Sequence, residues 1–339
     1  MFVNSKQGYR VQESSGRLQE TGRFAIEYLT HTIRMADFWG GAEVFKGKPI
    51  ASVIGTGSYT GIGNCKDTWL VDPTTGLEGY TGASAVGSIS NGIDTFPTGC
   101  IPSSSYVLYS DVLAIRYANP DGYVLGSQIS GGISSSDPLA TNGTYYVRAQ
   151  GGTRAVIFDA TSTSSTTSAF SSSTGISGSE TSAAVLNYQY SALVFYLQNA
   201  TYGSKAPTLY ALQMEKDALV AEPIADGVEM MKFEYGLDSG TTDSPNYVVG
   251  KWIPADSVSA STAPWWMIRA VRVSLIVRGD ALDNYKDNQT YYMTSGTSSS
   301  APFCYGPQSS SCTAKYTGNE RYQRRLLVKE IQIRNRLRG

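Results

Sequence analysis

The first forty residues constrain this chain more than any other stretch. Residues 1–40, MFVNSKQGYRVQESSGRLQETGRFAIEYLTHTIRMADFWG, are the only long segment that reads as one amphipathic helix. At about 100° per residue, Val11, Leu18, Ala25, Ile26, Leu29 and Ile33 fall on one face. Opposite charges recur at helical spacing: Arg10 with Glu13, Glu13 with Arg17, Glu20 with Arg23, Arg23 with Glu27. Such pairs add only about 0.2–0.5 kcal/mol each; their meaning is that one side of the helix is wet. Phe24, Tyr28 and Met35 form a second apolar strip, turned well away from the first. A helix docked on one sheet needs one strip, so the second either faces a partner or packs against the protein's own core. Gly22 lies within the main apolar face, where it costs about 1 kcal/mol relative to Ala; that position points to a close approach or a slight bend. Met1-Phe2-Val3 runs into the helical pattern without a cap, as expected of a helix that continues upstream, and Gly40-Gly41 closes it.

Beyond the helix the period changes from 3.6 to 2. Short strands are expected around Pro49–Ile54 and Thr68–Val71, within a Gly/Thr/Ser/Pro-rich stretch from 42 to 105. Alternation is clear in Ser110–Tyr117, ended by the turn residues Asn119-Pro120-Asp121-Gly122. Further strands are expected at Thr144–Arg148, Ala155–Phe158, from Val185 through Leu197, and at Thr208–Met214. Met231, Phe233 and Tyr235 alternate with Lys232 and Glu234, followed by a polar loop over Gly236–Asn246. In Trp266–Arg278, Met267, Val271, Val273, Leu275 and Val277 face inward and Arg272, Ser274 and Arg278 lie opposite; Arg269 breaks the inward face, aimed at an edge or a buried acid. Leu326–Ile333 is the last strand. Residues 161–183, TSTSSTTSAFSSSTGISGSETSA, form a Ser/Thr tract too poor in apolar residues to offset its ordering entropy. One helix followed by short strands, with no crossover helices, defines an α+β fold: a long N-terminal amphipathic helix packed on mostly antiparallel β-sheet, the other sheet face partly solvated. Residues 1–40 make the helical part and 41–339 a β-rich head carrying the 161–183 loop.

Composition narrows the function. Charged residues are only 16% of the 339, against about 25% in typical soluble domains; Ser, Thr, 35 Gly and 23 Tyr take their place, a balance common in surface β-proteins. The net charge is −1, so no global field draws nucleic acid or anionic lipid. Residues 320–339 carry seven Lys/Arg and two Glu, a local positive excess that is read first as the wet face of a strand. Four cysteines without a CxxC spacing argue against zinc or redox chemistry. Three disulfide pairings are open; Cys65 with Cys100 and Cys304 with Cys312 are favoured because each closes a turn-rich loop. No stretch reaches the 18–20 apolar residues of a membrane span, and no signal peptide is visible.

No catalytic set assembles. His31 is the one histidine and lies off the main apolar face of the helix, which leaves no Ser/His/Asp or Cys/His triad and no His-based metal site without it. The G-x-S-x-G elbow does not occur. The glycines from Gly55 to Gly61 open no helix, so they make a plain loop and not a dinucleotide site. Asp238 and Asp243 are two carboxylates where calcium needs six to eight oxygens. Tyr145-Tyr146, Trp265-Trp266 and Tyr291-Tyr292 put one ring on each side of a strand, which suits packing better than stacking on sugars or bases. No enzyme activity, cofactor or metal is expected.

Two blocks near the start, Leu18-Gln19-Glu20-Thr21-Gly22-Arg23-Phe24-Ala25-Ile26-Glu27 and Ile33-Arg34-Met35-Ala36-Asp37-Phe38-Trp39-Gly40, resemble the segment after the membrane span in PilW-type minor pilins of type IV pili. Ser110–Arg116, Ile224–Glu229, Phe233–Asp238, Ala270–Arg278, Arg324-Arg325 and Ile333–Arg336 are similar to later motifs of that family, in the same order. Residues 42–105 and 161–183 carry little of the likeness. Members often have Asn where Thr21 stands, and a Cys after the Trp-Gly where Gly41 stands, so no disulfide pattern carries over. The resemblance implies a pilin-like protein whose missing N-terminal helix would anchor it in the bacterial inner membrane, facing the periplasm, before it joins a pilus, near the tip. Its partners would be other minor pilins, the major pilin and a tip adhesin; nucleic acid is not expected. Phe24, Tyr28 and Met35 are the residues expected to face a partner. The rival readings are a pseudopilin of type II secretion and a surface module binding DNA or glycans.

Overall fold

The computed structural model describes residues 2–42, 51–54, 63–125, 145–150, 154–160, 185–199, 206–215, 218–282, 285–296, 301–316 and 321–336. The Ser/Thr tract lies outside them, and so does the glycine loop from 55 to 61. The first element is α1 (Phe2–Met35), followed by strand β1 (Ala51–Ile54), a helical turn α2 (Asp67–Leu70) and β2 (Leu77–Tyr80). Then come β3 (Val112–Leu125), β4 (Tyr145–Gln150), β5 (Arg154–Asp159), β6 (Val185–Gln198), β7 (Thr208–Glu215) and β8 (Ala218–Asp226). The C-terminal part holds β9 (Val228–Asp238), β10 (Val249–Ile253), β11 (Ile268–Ala281), β12 (Tyr291–Tyr292), β13 (Cys304–Gly306), β14 (Ala314–Lys315) and β15 (Tyr322–Gln332). Sheet pairing is antiparallel except for β1 with β5 and β13 with β14. The architecture is α+β, one long helix packed against antiparallel sheets.

The first sheet is built around β6. One edge of β6 pairs with β3 along its length. The other edge is shared: Val185–Gln189 pairs with β4 and Leu193–Gln198 with β7. The sheet therefore forks, with β4, β5 and β1 on one branch and β7 and β8 on the other. The second sheet runs β10-β9-β11-β15. Its apolar face carries Val271, Val273, Leu275 and Val277 of β11, all fully buried, and α1 lies across it, packed mainly on β11 and β15. Leu18, Ala25, Leu29 and Ile33 of α1 are buried there. Tyr28 turns the other way and meets Phe195 of β6 edge-on, ring centroids 6.0 Å apart. The helix is thus held between both sheets.

Several expectations change. Val11 is 44% exposed: the first turns of α1 run past the sheets, and the apolar face is covered only from Ser14 onward. Thr68–Val71 is no strand; Asp67–Leu70 is a helical turn whose open carbonyls at Trp69 and Leu70 accept hydrogen bonds from Arg116. The turn at Asn119–Gly122 does not end its strand: β3 continues to Leu125 through a register shift between Asn119 and Tyr123, where Pro120 owes the ladder no N–H. Strands β8 and β10 were not expected. The far face of the second sheet is not left to water either. Residues 285–296 and 301–316 cover it, with Ser295 donating to Glu234 (2.8 Å) and Phe303 lying over Lys232 (4.4 Å).

Candidate functional site

Charged residues of the motif blocks are mostly consumed in buried ion pairs that tie the elements together. Asp37, just past α1 with φ 59°, pairs with Arg336 and accepts a hydrogen bond from the Gly76 N–H at 2.8 Å. Arg336 also donates to the Trp265 and Ile268 carbonyls, and its own carbonyl accepts from Arg269 at 2.8 Å. Next to it, Asn335 donates to the carbonyls of Arg34, Met35 and Ala36, so the C-terminal segment caps the end of α1. Asp111 bonds Lys232 and accepts from the backbone N–H of Gly82 and Phe233 (2.9 and 2.8 Å), joining the two sheets. Glu229 holds both Arg278 (3.0 Å) and Arg324 (2.5 Å). Glu229 shares odd parity with Met231, but a bulge opposite Ile276 turns it to the charged face.

Of the two destinations its position leaves open, an edge or a buried acid, Arg269 takes the buried acid. A second bulge, between Ile268 and Ala270, places it 2.7 Å from Asp238. Asp238 also accepts from the N–H groups of Gly240, Asn246 and Tyr247. Burial pushes this carboxyl up, but those donors and Arg269 outweigh it and hold it below the ordinary carboxylate range. Its oxygens organise the 239–248 loop, and among the described residues no group of His, Cys, Asp and Glu is arranged to hold a metal. Disulfides join Cys65 to Cys100 and Cys304 to Cys312. Trp265 is buried and meets Tyr235 edge-on at 4.9 Å, so it has no free face for a ligand.

Exposed apolar side chains and two grooves also lie along α1. Of the second strip, Phe24 is 52% exposed, whereas Tyr28 and Met35 are half-buried. Burial, with Glu222 nearby, raises the Tyr28 phenol above its ordinary pKa. The strip is therefore mixed: Tyr28 belongs partly to the protein's core, and Phe24 is the member that faces outward. Two grooves flank the helix. On the β8 side, Phe24, Ile224 and Asp226 line a groove of about 520 Å³. On the β15 side, Arg23, His31, Arg34, Lys329 and Arg334 line one of about 610 Å³. Sequence reading did not bring Lys329 and Arg334 to the helix, because nearly three hundred residues separate them from Arg34 and no local pattern reports that contact.

Residues 194–335 match the family described as Type IV Pilus-assembly protein W (PilW). The match runs from within β6 through β15 to Asn335; it contains the blocks at 224–238, 270–278 and 324–335, whereas α1 and the 110–116 block lie outside it. Among solved structures, a Type IV-like pilin from Thermus thermophilus aligns over 78% of this chain and 86% of its own, at 13% identity and a TM-score of 0.29. No curated protein sequence matches the chain. The match covers the C-terminal part of the chain, and over that part the chain is similar to proteins of type IV pilus assembly.

Proposed function

We propose that this chain is a minor pilin that takes part in type IV pilus assembly, in a priming or tip complex, by packing against other subunits rather than by catalysis. The observation that carries this reading is the PilW match over 194–335, in a chain whose long helix α1 leads into antiparallel sheets. Residues 1–40 act as the helical stalk and 41–339 as the head. Support comes from the helix itself: its polar face is wet, Phe24 is exposed beside the β8 groove, and Met35 lines the β15 groove. Among the described residues no helix is long and apolar enough to cross a membrane; anchoring in the inner membrane through a segment upstream of Phe2 is part of the proposal. Other minor pilins, the major pilin and a tip adhesin are the proposed partners.

The experiment is deletion followed by complementation. Loss of surface pili, restored by the wild-type chain and not by Phe24→Ser, is the expected result, with Phe24→Ser also failing to co-purify minor pilins. Normal piliation with blocked enzyme export would instead identify a secretion pseudopilin.

A further inference from the structure

We propose that the groove between α1 and the outer edge of β15 receives an extended, acidic segment of a partner protein, which adds to β15 as a strand. β15 is the last strand of its sheet, and among the described residues no strand pairs with its outer edge. At the start of β15 the Tyr322 and Arg324 carbonyls already accept from Arg324 and Tyr291 side chains, so it is the edge from Leu326 to Gln332 that offers backbone donors and acceptors to an incoming strand. Beside it runs the groove of about 610 Å³ with half-buried Ile26 and Met35 as its apolar floor.

The charges of the groove state what kind of strand it takes. Arg23 is engaged by Glu27 at 2.8 Å. Arg34, Lys329 and Arg334 are exposed, and among the described residues none of them pairs with a carboxylate. Lys329 lies on the α1 side of β15, where it pairs across the ladder with inward-facing Val273, and Arg325, paired with Val277, shares that side four residues earlier. An added strand presents every second side chain to the same side, so acids at alternate positions would meet this row. The same cations repel a second β15 edge, which disfavours edge-to-edge pairing of two identical copies. His31 is the single ring lining the groove, and no Tyr, Trp or Phe joins it, so it lacks the succession of stacking platforms that holds single-stranded nucleic acid. The inference rests on the packing role proposed above for the existence of a partner, but it uses a different face of α1 from Phe24.

The test uses the full chain and a fluorescent, end-capped peptide of about six residues alternating Val and Glu, the length of an ordinary strand. Saturable binding in an anisotropy titration is expected, together with slowed hydrogen exchange of the β15 amides. Binding should fall about tenfold in Arg34→Glu/Lys329→Glu, a loss the size of two partly exposed ion pairs. Arg334→Gln, a milder exposed change, should weaken it less; circular dichroism checks that both variants are folded. No binding up to about 1 mM overturns the proposal. So does equal binding of a Val/Lys peptide, or unchanged exchange in β15. Preferential binding of oligothymidine with a linear log-salt slope would assign the groove to nucleic acid, and self-association lost in Lys329→Glu would assign it to a second copy; either outcome overturns it. Phe24→Ser separates the two readings: peptide binding should persist in that variant, so lost peptide binding in wild type with intact co-purification sinks the groove alone.

Discussion

Asp238 shows how a loop acid becomes a structural anchor. Its carboxylate is buried, bonded to Arg269 and to three backbone N–H groups. The folded-state pKa lies below the unfolded value, so the stabilisation is present above the ordinary carboxylate value of 3.8 and is lost as pH falls through the depressed one. Asp238→Asn should therefore cost about 3 kcal/mol at neutral pH by leaving Arg269 buried without its acid. In thermal melts, the gap between wild type and variant should narrow as the pH drops below 3.8. The two aromatic residues of the second helical strip should also part company. Phe24→Ser, at a half-exposed position, should leave stability within about 0.5 kcal/mol. Tyr28→Ser, which removes the edge-on contact with Phe195, should cost about 1–2 kcal/mol in urea titrations. Equal losses at both positions would return Phe24 to the core.

At the scale of elements, α1 is specified by its own period and placed by its glycine. Gly22 is buried, and a Cβ there would collide with Leu327 Cδ1 and touch Val277. The missing side chain lets the helix approach β11 and β15 closely. Gly22→Val should overpack this contact and cost about 1–3 kcal/mol despite its gain in helix propensity; an unchanged melting temperature would show that the leucine swings aside freely. Strand alternation predicted most of the longer strands, including β9 and β11, because one face of each is apolar. It did not predict β8 and β10, which are edge strands with weak apolar alternation, or the reach of β3 past Pro120. Bulges were equally invisible: Glu229 and Arg269 have the parity of core residues, and only an extra residue in the ladder turns each toward its ionic partner.

For the whole molecule, the decisive contacts join its two ends. Arg336 and Asn335, from the last described segment, close on Asp37 and on the final carbonyls of α1. Arg336→Leu should cost about 3–5 kcal/mol by stranding buried Asp37. It should also loosen the last turns of α1, seen as faster hydrogen exchange over residues 29–36 while β6 remains protected. Loss confined to the C-terminal segment would mean that the helix end is held by its own packing.

The sequence by itself determined the long helix, its buried face, the α+β class and the PilW resemblance, because each is written in local period or in short ordered motifs. It placed the Phe24, Tyr28 and Met35 strip but not its fate, since coverage depends on where the other sheet lies. Only the tertiary structure decided that Tyr28 meets Phe195, that Asp37 meets Arg336, and that Arg34, Lys329 and Arg334 share one groove. The physical reason is range: period-based patterns report neighbours within a few residues, whereas these contacts are made by chain segments far apart in sequence and brought together by packing.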